Sequence, residues 1–376
     1  MKLPVNISRI LVGVLFIFSG LVKANDPYGL SYKMQEFFEA WGWDFLNNYT
    51  LLFSVLMIAF EIIAGVAVLL GWAMRLFSWL LLMLIIFFTF LTAYALFSGK
   101  IKTCGCFGDC IPITPETSFL KDVALTIMIS FLFWQRKKIK SYFSPRFDLI
   151  TMSGVIILSF GIQWYMLTYL PMIDCLSFKK GNNINEQMKM PANAVPDSTL
   201  ITFVYEKEGK RIEFTADKFP EDFNADTYKF ISRYDKVIRK GKNNEPPIKG
   251  FSLVTANNED STGAILNSPD YKVMVFALGI NDNKPSWSDD FNKLLNAAKQ
   301  KNIRLYFVTN GYDNISQWAS KANIANDITI FKCDYTVIKT AARTNPCFYL
   351  VKQGTILGKW SYKKINSVIR KIQSLQ

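Results

Sequence analysis

Five long apolar runs separated by short charged segments fill the first 170 residues of the chain. A transmembrane helix needs about 20 apolar residues to cross the hydrocarbon core of a bilayer. The runs lie at residues 10–21, extendable at both ends, and at 51–72, 76–97, 119–134 and 150–170. This pattern predicts five transmembrane helices in contact with a lipid bilayer.

Residues 27–48, between the first two runs, carry apolar side chains at helical spacing but are interrupted by charges. This pattern is typical of an amphipathic helix. We expect the helix either to lie on the membrane surface or to pack against the bundle.

Basic residues in the connecting loops predict the orientation. Arg136, Lys137, Lys138 and Lys140 lie between the fourth and fifth runs, and short loops rich in Lys and Arg stay in the cytoplasm. The N-terminus is then cytoplasmic, and everything after residue 170 lies on the opposite side. We therefore expect a bacterial inner-membrane protein with five spans and a periplasmic C-terminal domain.

After residue 170 the apolar runs become shorter and the chain more polar. Residues 179–200 are rich in Asn and Pro, which indicates a linker, and residues 201–205 and 210–214 are typical of a β-hairpin. From residue 271, strand-like and amphipathic helical runs alternate and end in a hairpin turning at 353–354. This alternation predicts an α/β sheet with mainly parallel strands.

The predicted fold class is a multi-domain membrane protein, in which an α-helical bundle is followed by an extracytoplasmic α/β domain. The expected parts are a four-helix membrane domain at 1–140, a fifth transmembrane helix at 141–178, a linker and β-rich part at 179–270, and the α/β domain at 271–376.

Composition narrows the chemistry that the chain can perform. Of its 376 residues, 50% are hydrophobic and 19% charged, and the net charge is +13. His is absent, which excludes Ser-His-Asp and Cys-His mechanisms and His-ligated metal sites. We expect no metal site, and no nucleic-acid partner on the outer side of the membrane.

The cysteines are the candidate reactive groups. Cys104, Cys106 and Cys110 lie together between the third and fourth runs, and Cys175 follows the fifth run. In an oxidising compartment such cysteines indicate disulfides or redox thiols. A disulfide between two of the loop thiols leaves the third to attack it or to pair with Cys175, as thiol–disulfide exchange requires. A pair of purely structural disulfides is the alternative.

The first half also resembles a known family. The sequence CGCFG at 104–108, the group Ser19, Gly20 and Lys23, and the pair Glu61 and Gly65 resemble the DoxX/MauE family of four-helix membrane proteins over about residues 5–136. The resemblance implies that Cys104 and Cys106 form the redox group. It also implies a link to disulfide formation in exported proteins and, through DoxD-type relatives, to a quinone as cofactor.

Glu61 is the candidate cofactor-binding residue, because an ionisable side chain near the middle of a span is costly and points to function. It can relay a proton to or from a quinone. It can equally be a packing carboxyl bonded to Ser19, Thr89, Thr92 or Tyr94. We expect Lys23 and Asp122, which lie near the outer face, to extend toward the membrane surface.

Residues 271–360 resemble thioredoxin-like domains of the TlpA/peroxiredoxin type. Pro346 occupies the place of the cis-proline of that fold, whereas residues 284–290, where the catalytic CxxC belongs, contain no Cys. The resemblance therefore excludes a dithiol mechanism in this domain. It leaves either docking of a client peptide against Pro346 or a scaffold without a binding task. Cys333 and Cys347 belong to the same edge of the sheet and can either pair or stay as buried thiols.

Two functions fit these residues. The first is a membrane-bound, quinone-linked thiol–disulfide oxidoreductase that supports disulfide formation or maturation of exported proteins. The second is a non-enzymatic envelope assembly subunit with a membrane anchor and a redox-inactive docking domain, whose partners are other subunits of an envelope complex.

Overall fold

A computed structural model describes residues 2–99, 101, 105–239, 241, 243–280 and 285–375. In these ranges five helices are long and apolar enough to cross a membrane, which confirms the five predicted spans. The spanning helices are α1 (Lys2–Ala24), α3 (Thr50–Leu70), α4 (Met74–Ser98), α5 (Pro115–Gln135) and α6 (Pro145–Tyr169), with α2 (Pro27–Trp41) between the first two.

Glycines bring α1 and α3 into close contact. A Cβ atom on Gly65 would lie 2.8 Å from the carbonyl oxygen of Gly13 and 3.0 Å from the backbone nitrogen of Ile17. Small residues at helix contacts let two backbones approach closely in a membrane. The close contact sets the register of α1 against α3, and it brings Ser19 and Lys23 beside Glu61 one to three turns further along.

The amphipathic segment forms α2 and packs against the bundle. Asp26 caps its N-terminus by accepting a hydrogen bond from the backbone nitrogen of Gly29 at 3.2 Å, and Gly42 ends it in a left-handed conformation with φ of 70°. Leu30 is buried with Ile58 and other residues of the bundle. Of the two expected placements, the structure shows the packed one.

A small antiparallel sheet follows the last span. The predicted hairpin is confirmed by β1 (Ser198–Lys207) and β2 (Lys210–Thr215), which pair with Phe203 opposite Phe214. A third strand, β3 (Lys229–Arg239), pairs with the other edge of β1. Sequence reasoning missed β3, because every residue of this strand is exposed and no buried face produces an alternating pattern.

The C-terminal part contains a five-stranded sheet in the order β6-β5-β4-β7-β8. Strands β4, β5 and β6 are parallel, and β7 and β8 are antiparallel to their neighbours. The strands are β4 (Tyr271–Ala277), β5 (Arg304–Thr309), β6 (Thr329–Lys332), β7 (Cys347–Lys352) and β8 (Thr355–Ser361). The predicted alternation of strands and helices is thus confirmed.

Helices cover both faces of this sheet. The longer ones are α9 (Ser288–Gln300), α10 (Tyr312–Lys321), α11 (Tyr335–Ala341) and α12 (Ile365–Gln373), and the short ones are α7 (Ile184–Gln187) and α8 (Thr262–Asn267). One core surrounds Val275 and Phe291, and the other surrounds Phe276 and Tyr349. The peptide bond between Asn345 and Pro346 is cis, as the resemblance to the thioredoxin fold implies.

The predicted linker at 179–200 is wrong for its first part. The backbone nitrogens of Gly181 and Ile184 donate to the carbonyls of Ile356 and Gly354, both at 2.8 Å, and Ile184 is fully buried. Asn183 looks like a linker residue, but its side-chain amide donates to the carbonyl of Gln353 at 2.8 Å. We therefore define the α/β domain as residues 176–188 together with 248–375.

Candidate functional site

An apolar cavity of about 440 Å³ lies among helices α1 to α5 and reaches the loop between α4 and α5. We call residues 105–114 of that loop the cysteine loop. Most of the wall consists of aromatic and aliphatic side chains such as Phe60, Phe88 and Leu125. The charged or thiol-bearing side chains in the wall are Lys23, Lys33, Glu61, Cys106, Lys121 and Asp122.

Glu61 is held on both carboxylate oxygens. Lys23 Nζ lies 2.5 Å from Oε1, and Ser19 Oγ donates to Oε2 at 3.0 Å. Of the four partners that the sequence offers for a packing carboxyl, the structure has Ser19. The expectation that Lys23 extends to the membrane surface is wrong, because its side chain is 3% exposed. An ammonium this deep requires a counter-charge, and Glu61 provides it.

Asp122 forms a second charged pair at the cavity. Lys121 Nζ lies 2.7 Å from its Oδ1, whereas Oδ2 receives no hydrogen bond from the described residues. Its side chain is fully buried, so the expectation that Asp122 reaches the membrane surface is also wrong. A buried carboxylate oxygen without a hydrogen bond has unused acceptor capacity, and Asp122 is part of the cavity wall.

Cys106 lies where the cysteine loop closes the cavity. Its backbone carbonyl lies 3.1 Å from Ser19 Oγ and shares the single proton of that hydroxyl with Glu61 Oε2. The Cys106 thiol is free and buried. Burial raises the pKa of this thiol, while the positive charge of Lys121 opposes that shift. Cys104, predicted as its redox partner, lies outside the described residues.

Cys110 forms a disulfide with Cys175, with their Cα atoms 5.0 Å apart. Of the pairings left open by the sequence, the structure therefore has one loop thiol bonded to Cys175. Asn25, at the end of α1, steadies the segment after α6: its side-chain amide donates to the carbonyl of Ile173 at 2.8 Å and its oxygen accepts from the Ile173 nitrogen at 3.0 Å. The disulfide thus joins two membrane-domain segments at the same face of the bundle.

The structure does not support client docking at Pro346, Cys347 and Cys333, because all three are buried. The two cysteines cannot pair either. Both thiols are free. Cys333 directly follows β6, and strands β5 and β4 separate β6 from β7, so the backbones at the two cysteines are about 14 Å apart at the usual strand spacing, beyond the reach of a disulfide. Burial raises the pKa of Cys333 to about 11 and that of Cys347 to about 12.

Arg343 joins the α/β domain to the membrane domain. Its guanidinium is 3% exposed, with Nε 2.8 Å from Asp26 Oδ2 and Nη2 3.2 Å from Asp109 Oδ2. Burial alone would lower the pKa of Arg343, but Asp26, Tyr32 and Asp109 outweigh it, so the pKa is raised and the side chain stays cationic. The edge of the sheet near Pro346 therefore docks on the cysteine loop of the same chain.

Comparison with known proteins agrees with this division of the chain. Residues 1–135 match the family described as methylamine utilisation protein MauE. The first four spans are MauE-like. The MauE-like part contains the whole cavity and the cysteine loop, and α6 and all later elements lie outside it. Residues 194–240, which include the small antiparallel sheet, match a domain of unknown function, DUF8463.

Beyond the MauE-like match, Protein TlpB of Flavobacterium psychrophilum is 28% identical to the chain over 139 residues. The aligned part covers 36% of this chain and 38% of TlpB, so the chain spans well under half the length of that relative. No solved structure matches the chain.

Proposed function

We propose that this protein is a membrane-bound thiol–disulfide oxidoreductase that passes electrons from thiols of exported proteins to a quinone bound in the cavity. The observation that carries the proposal is the position of Cys106. A free thiol closes an apolar cavity whose wall also holds two carboxylate–lysine pairs. The likeness to MauE supports the proposal, because the resemblance of the CGCFG motif to that family implies thiol redox chemistry.

The cavity fits a quinone ring in size and chemistry. Ligand pockets typically measure about 300–1,000 Å³ and are mostly apolar with a few convergent polar groups, and this cavity of about 440 Å³ meets both criteria. When bound, a quinone accepts two electrons and two protons. Lys121 is a cationic donor able to hold one of its carbonyl oxygens, and the aromatic wall is able to hold the ring and tail.

The residues of the chain have separate tasks in this proposal. Oxidation of the Cys104 and Cys106 thiols to a disulfide releases two electrons and two protons. The positive charge of Lys121 favours the Cys106 thiolate, which is the reactive form. Asp122 has free acceptor capacity and takes up a proton, whereas Ser19 bridges the Cys106 carbonyl and Glu61 and holds the loop in place.

The second disulfide connects the cavity to clients. A client thiolate attacks one sulfur of Cys110–Cys175 and forms a mixed disulfide, which the second client thiol resolves. The client leaves oxidised, and Cys110 and Cys175 become thiols. These two thiols then reduce a Cys104–Cys106 disulfide. This exchange restores the Cys110–Cys175 disulfide and leaves Cys104 and Cys106 as thiols that carry the two electrons.

The location follows from the same arrangement. Basic residues at the far ends of the spans, among them Arg75, Arg136 and Lys140, favour a cytoplasmic position for those ends. We infer a bacterial inner membrane, with the cysteine loop and the α/β domain in the periplasm, where exported proteins acquire disulfides.

One observation favours the alternative of a non-enzymatic assembly subunit. The α/β domain lacks a CxxC, and its proline edge is docked on the membrane domain through Arg343. In this alternative the cysteines only brace the interface, and removing the Cys106 thiol changes no reaction.

Quinone reduction by the purified protein separates the two functions. We would reconstitute the full chain in lipid nanodiscs, supply dithiothreitol as electron donor and a short-chain quinone as acceptor, and follow the quinone absorbance. Cys106→Ser should abolish turnover, whereas Cys333→Ser, a matched change of a buried thiol in the α/β core, should retain it. Equal turnover by Cys106→Ser and the wild type would reject the oxidoreductase.

A further inference from the structure

Each cysteine of the Cys110–Cys175 disulfide directly follows an aspartate. Asp109 precedes Cys110, and Asp174 precedes Cys175. Breaking the disulfide leaves one of the two sulfurs as a thiolate. An uncompensated carboxylate beside that sulfur would disfavour the new negative charge and slow the exchange.

Both aspartates are paired with cations of the α/β domain. Arg343 Nη2 lies 3.2 Å from Asp109 Oδ2. Lys359 Nζ lies 2.8 Å from Asp174 Oδ2, and the side chain of this lysine is only 5% exposed. The two cations come from different places in the domain, since Arg343 precedes β7 and Lys359 lies within β8.

We propose that Arg343 and Lys359 are positioning residues of the redox site, through which the α/β domain keeps the Cys110–Cys175 disulfide reactive. They neutralise the flanking carboxylates and hold the two segments on which the sulfurs lie. The inference rests on the proposed function, because it assigns the α/β domain a task in the exchange at this disulfide. It also gives a reason for a thioredoxin-like domain without a CxxC: its partner is the disulfide of its own membrane domain.

The chemical step is ordinary thiol–disulfide exchange. An attacking thiolate bonds to one of the two sulfurs, the Cys110–Cys175 bond breaks, and the other sulfur leaves as a thiolate. With dithiothreitol as reductant, its second thiol then attacks the mixed disulfide. Dithiothreitol becomes a cyclic disulfide, and both cysteines are reduced. Each stage creates a thiolate next to Asp109 or Asp174.

Lys359 offers the sharper test, because among the described residues its one ion-pair partner is Asp174, whereas Arg343 also holds Asp26. We would measure the reduction rate of the disulfide by dithiothreitol at pH 8 in nanodisc-bound full-length protein, by acid quenching, alkylation and peptide mass spectrometry. Lys359→Gln should reduce about three- to tenfold more slowly than the wild type, because the leaving thiolate faces an uncompensated charge.

The double variant Lys359→Gln/Asp174→Asn distinguishes electrostatics from loosening of the structure. It has lost the ion pair but also the uncompensated carboxylate, so its rate should return to within about twofold of the wild type. Lys293→Gln is the matched control, since it removes the lysine of an exposed pair with Asp290 on α9 and should leave the rate unchanged.

A Lys359→Gln rate equal to or faster than the wild-type rate would overturn the inference, and so would a double variant as slow as the single one. Dithiothreitol reduction requires neither quinone nor client. If the wild type failed to reduce quinone, the proposed function would fall, while the three reduction rates would still decide whether Lys359 controls the disulfide.

Discussion

The two carboxylates of the cavity, Glu61 and Asp122, differ in how many of their oxygens have a bonding partner. Glu61 is bonded on both oxygens by Lys23 and Ser19, whereas Asp122 is paired with Lys121 through Oδ1 and its Oδ2 receives no hydrogen bond from the described residues. A fully bonded carboxylate holds its neighbours in place, and one with free acceptor capacity can receive a proton. In the proposed function, Glu61 therefore has a structural task and Asp122 a chemical one.

Variants of Glu61 test this division. Glu61→Gln should lower the free energy of unfolding by about 3–5 kcal/mol, because it leaves the Lys23 ammonium buried without a counter-charge. The double variant Lys23→Met/Glu61→Gln should recover most of that loss and should also recover quinone reduction. Thermal unfolding in nanodiscs and the turnover assay measure the two quantities.

A double variant that is stable but inactive would contradict the structural role of Glu61. It would instead restore the alternative in which Glu61 itself moves the proton. Asp122→Asn is the complementary change, and it should remove turnover while keeping the protein folded.

The buried thiols of the α/β domain should be inert in the native protein. Because burial raises the pKa of Cys333 to about 11 and of Cys347 to about 12, few of these thiols are ionised at pH 8. We expect their alkylation by iodoacetamide to be slower than that of an exposed thiol by roughly 100-fold or more, and to become fast in denaturant. Rapid labelling of either cysteine in native protein would show that it is accessible.

Sequence reasoning found some of these residues and missed others for identifiable reasons. The family resemblance singles out Ser19 and Glu61, and the spacing of the cysteines singles out the loop, but the sequence leaves Ser19 as one of four possible partners of Glu61. Lys23 lies at the end of an apolar run, and this position alone points to the membrane surface. Arg343 gave no local signal, since its partner Asp26 lies 317 positions away and no pattern along the chain records such a contact.

At the scale of elements, the contact between α1 and α3 places the functional side chains. Gly65 has no room for a side chain, because a Cβ atom there would meet the backbone of α1 at 2.8 to 3.0 Å. Gly154 of α6 has no neighbour within 4 Å of the same point. The two glycines therefore form a matched pair for substitution.

Gly65→Val should destabilise the protein by about 1–3 kcal/mol or more, as overpacking does elsewhere, and should separate Glu61 from Ser19 and Lys23. Gly154→Val should be close to neutral. Thermal unfolding of both variants in the same nanodiscs measures the difference. Equal stability would mean that α1 and α3 do not approach as closely as the structure shows.

The helices and strands are predictable where burial in the bilayer or in the protein core produces a recognisable pattern of apolar residues. The five spans follow from apolar runs of membrane length, and β4 to β8 follow from buried strands between amphipathic helices. Two parts of the chain lack such a pattern and were not predicted. The strand β3 is exposed along its whole length, and residues 179–188 use polar side chains such as Asn183 to bond the backbone of the α/β domain.

At the scale of the whole molecule, the α/β domain and the membrane domain meet at the Cys110–Cys175 disulfide. Arg343 and Lys359 reach both flanks of the Cys110–Cys175 disulfide, and Lys339 adds a hydrogen bond to Gln35 of α2. The disulfide lies at the face of the bundle opposite the basic loop at 136–140. The orientation in the membrane therefore decides which compartment contains the chemistry.

Reporter fusions test the orientation. A reporter that works only in the cytoplasm should be active when it is fused after Lys140 and inactive after Gln376. A reporter that works only in the periplasm should be active after Gln376 and inactive after Lys140, because basic loops stay in the cytoplasm. The opposite pattern would put the disulfide in a reducing compartment, and the proposed exchange with exported proteins would be wrong.

The central claim is that thiols at the cavity give their electrons to a quinone, and thiol counting tests it most directly. Fully reduced protein in nanodiscs would be mixed anaerobically with a limiting amount of short-chain quinone, then alkylated and mapped by mass spectrometry. We expect two thiols to disappear for each quinone reduced, with the first new disulfide joining Cys104 and Cys106 before Cys110 and Cys175 become oxidised. Quinone reduction without loss of thiols, or thiols that persist in the presence of quinone, would contradict this account.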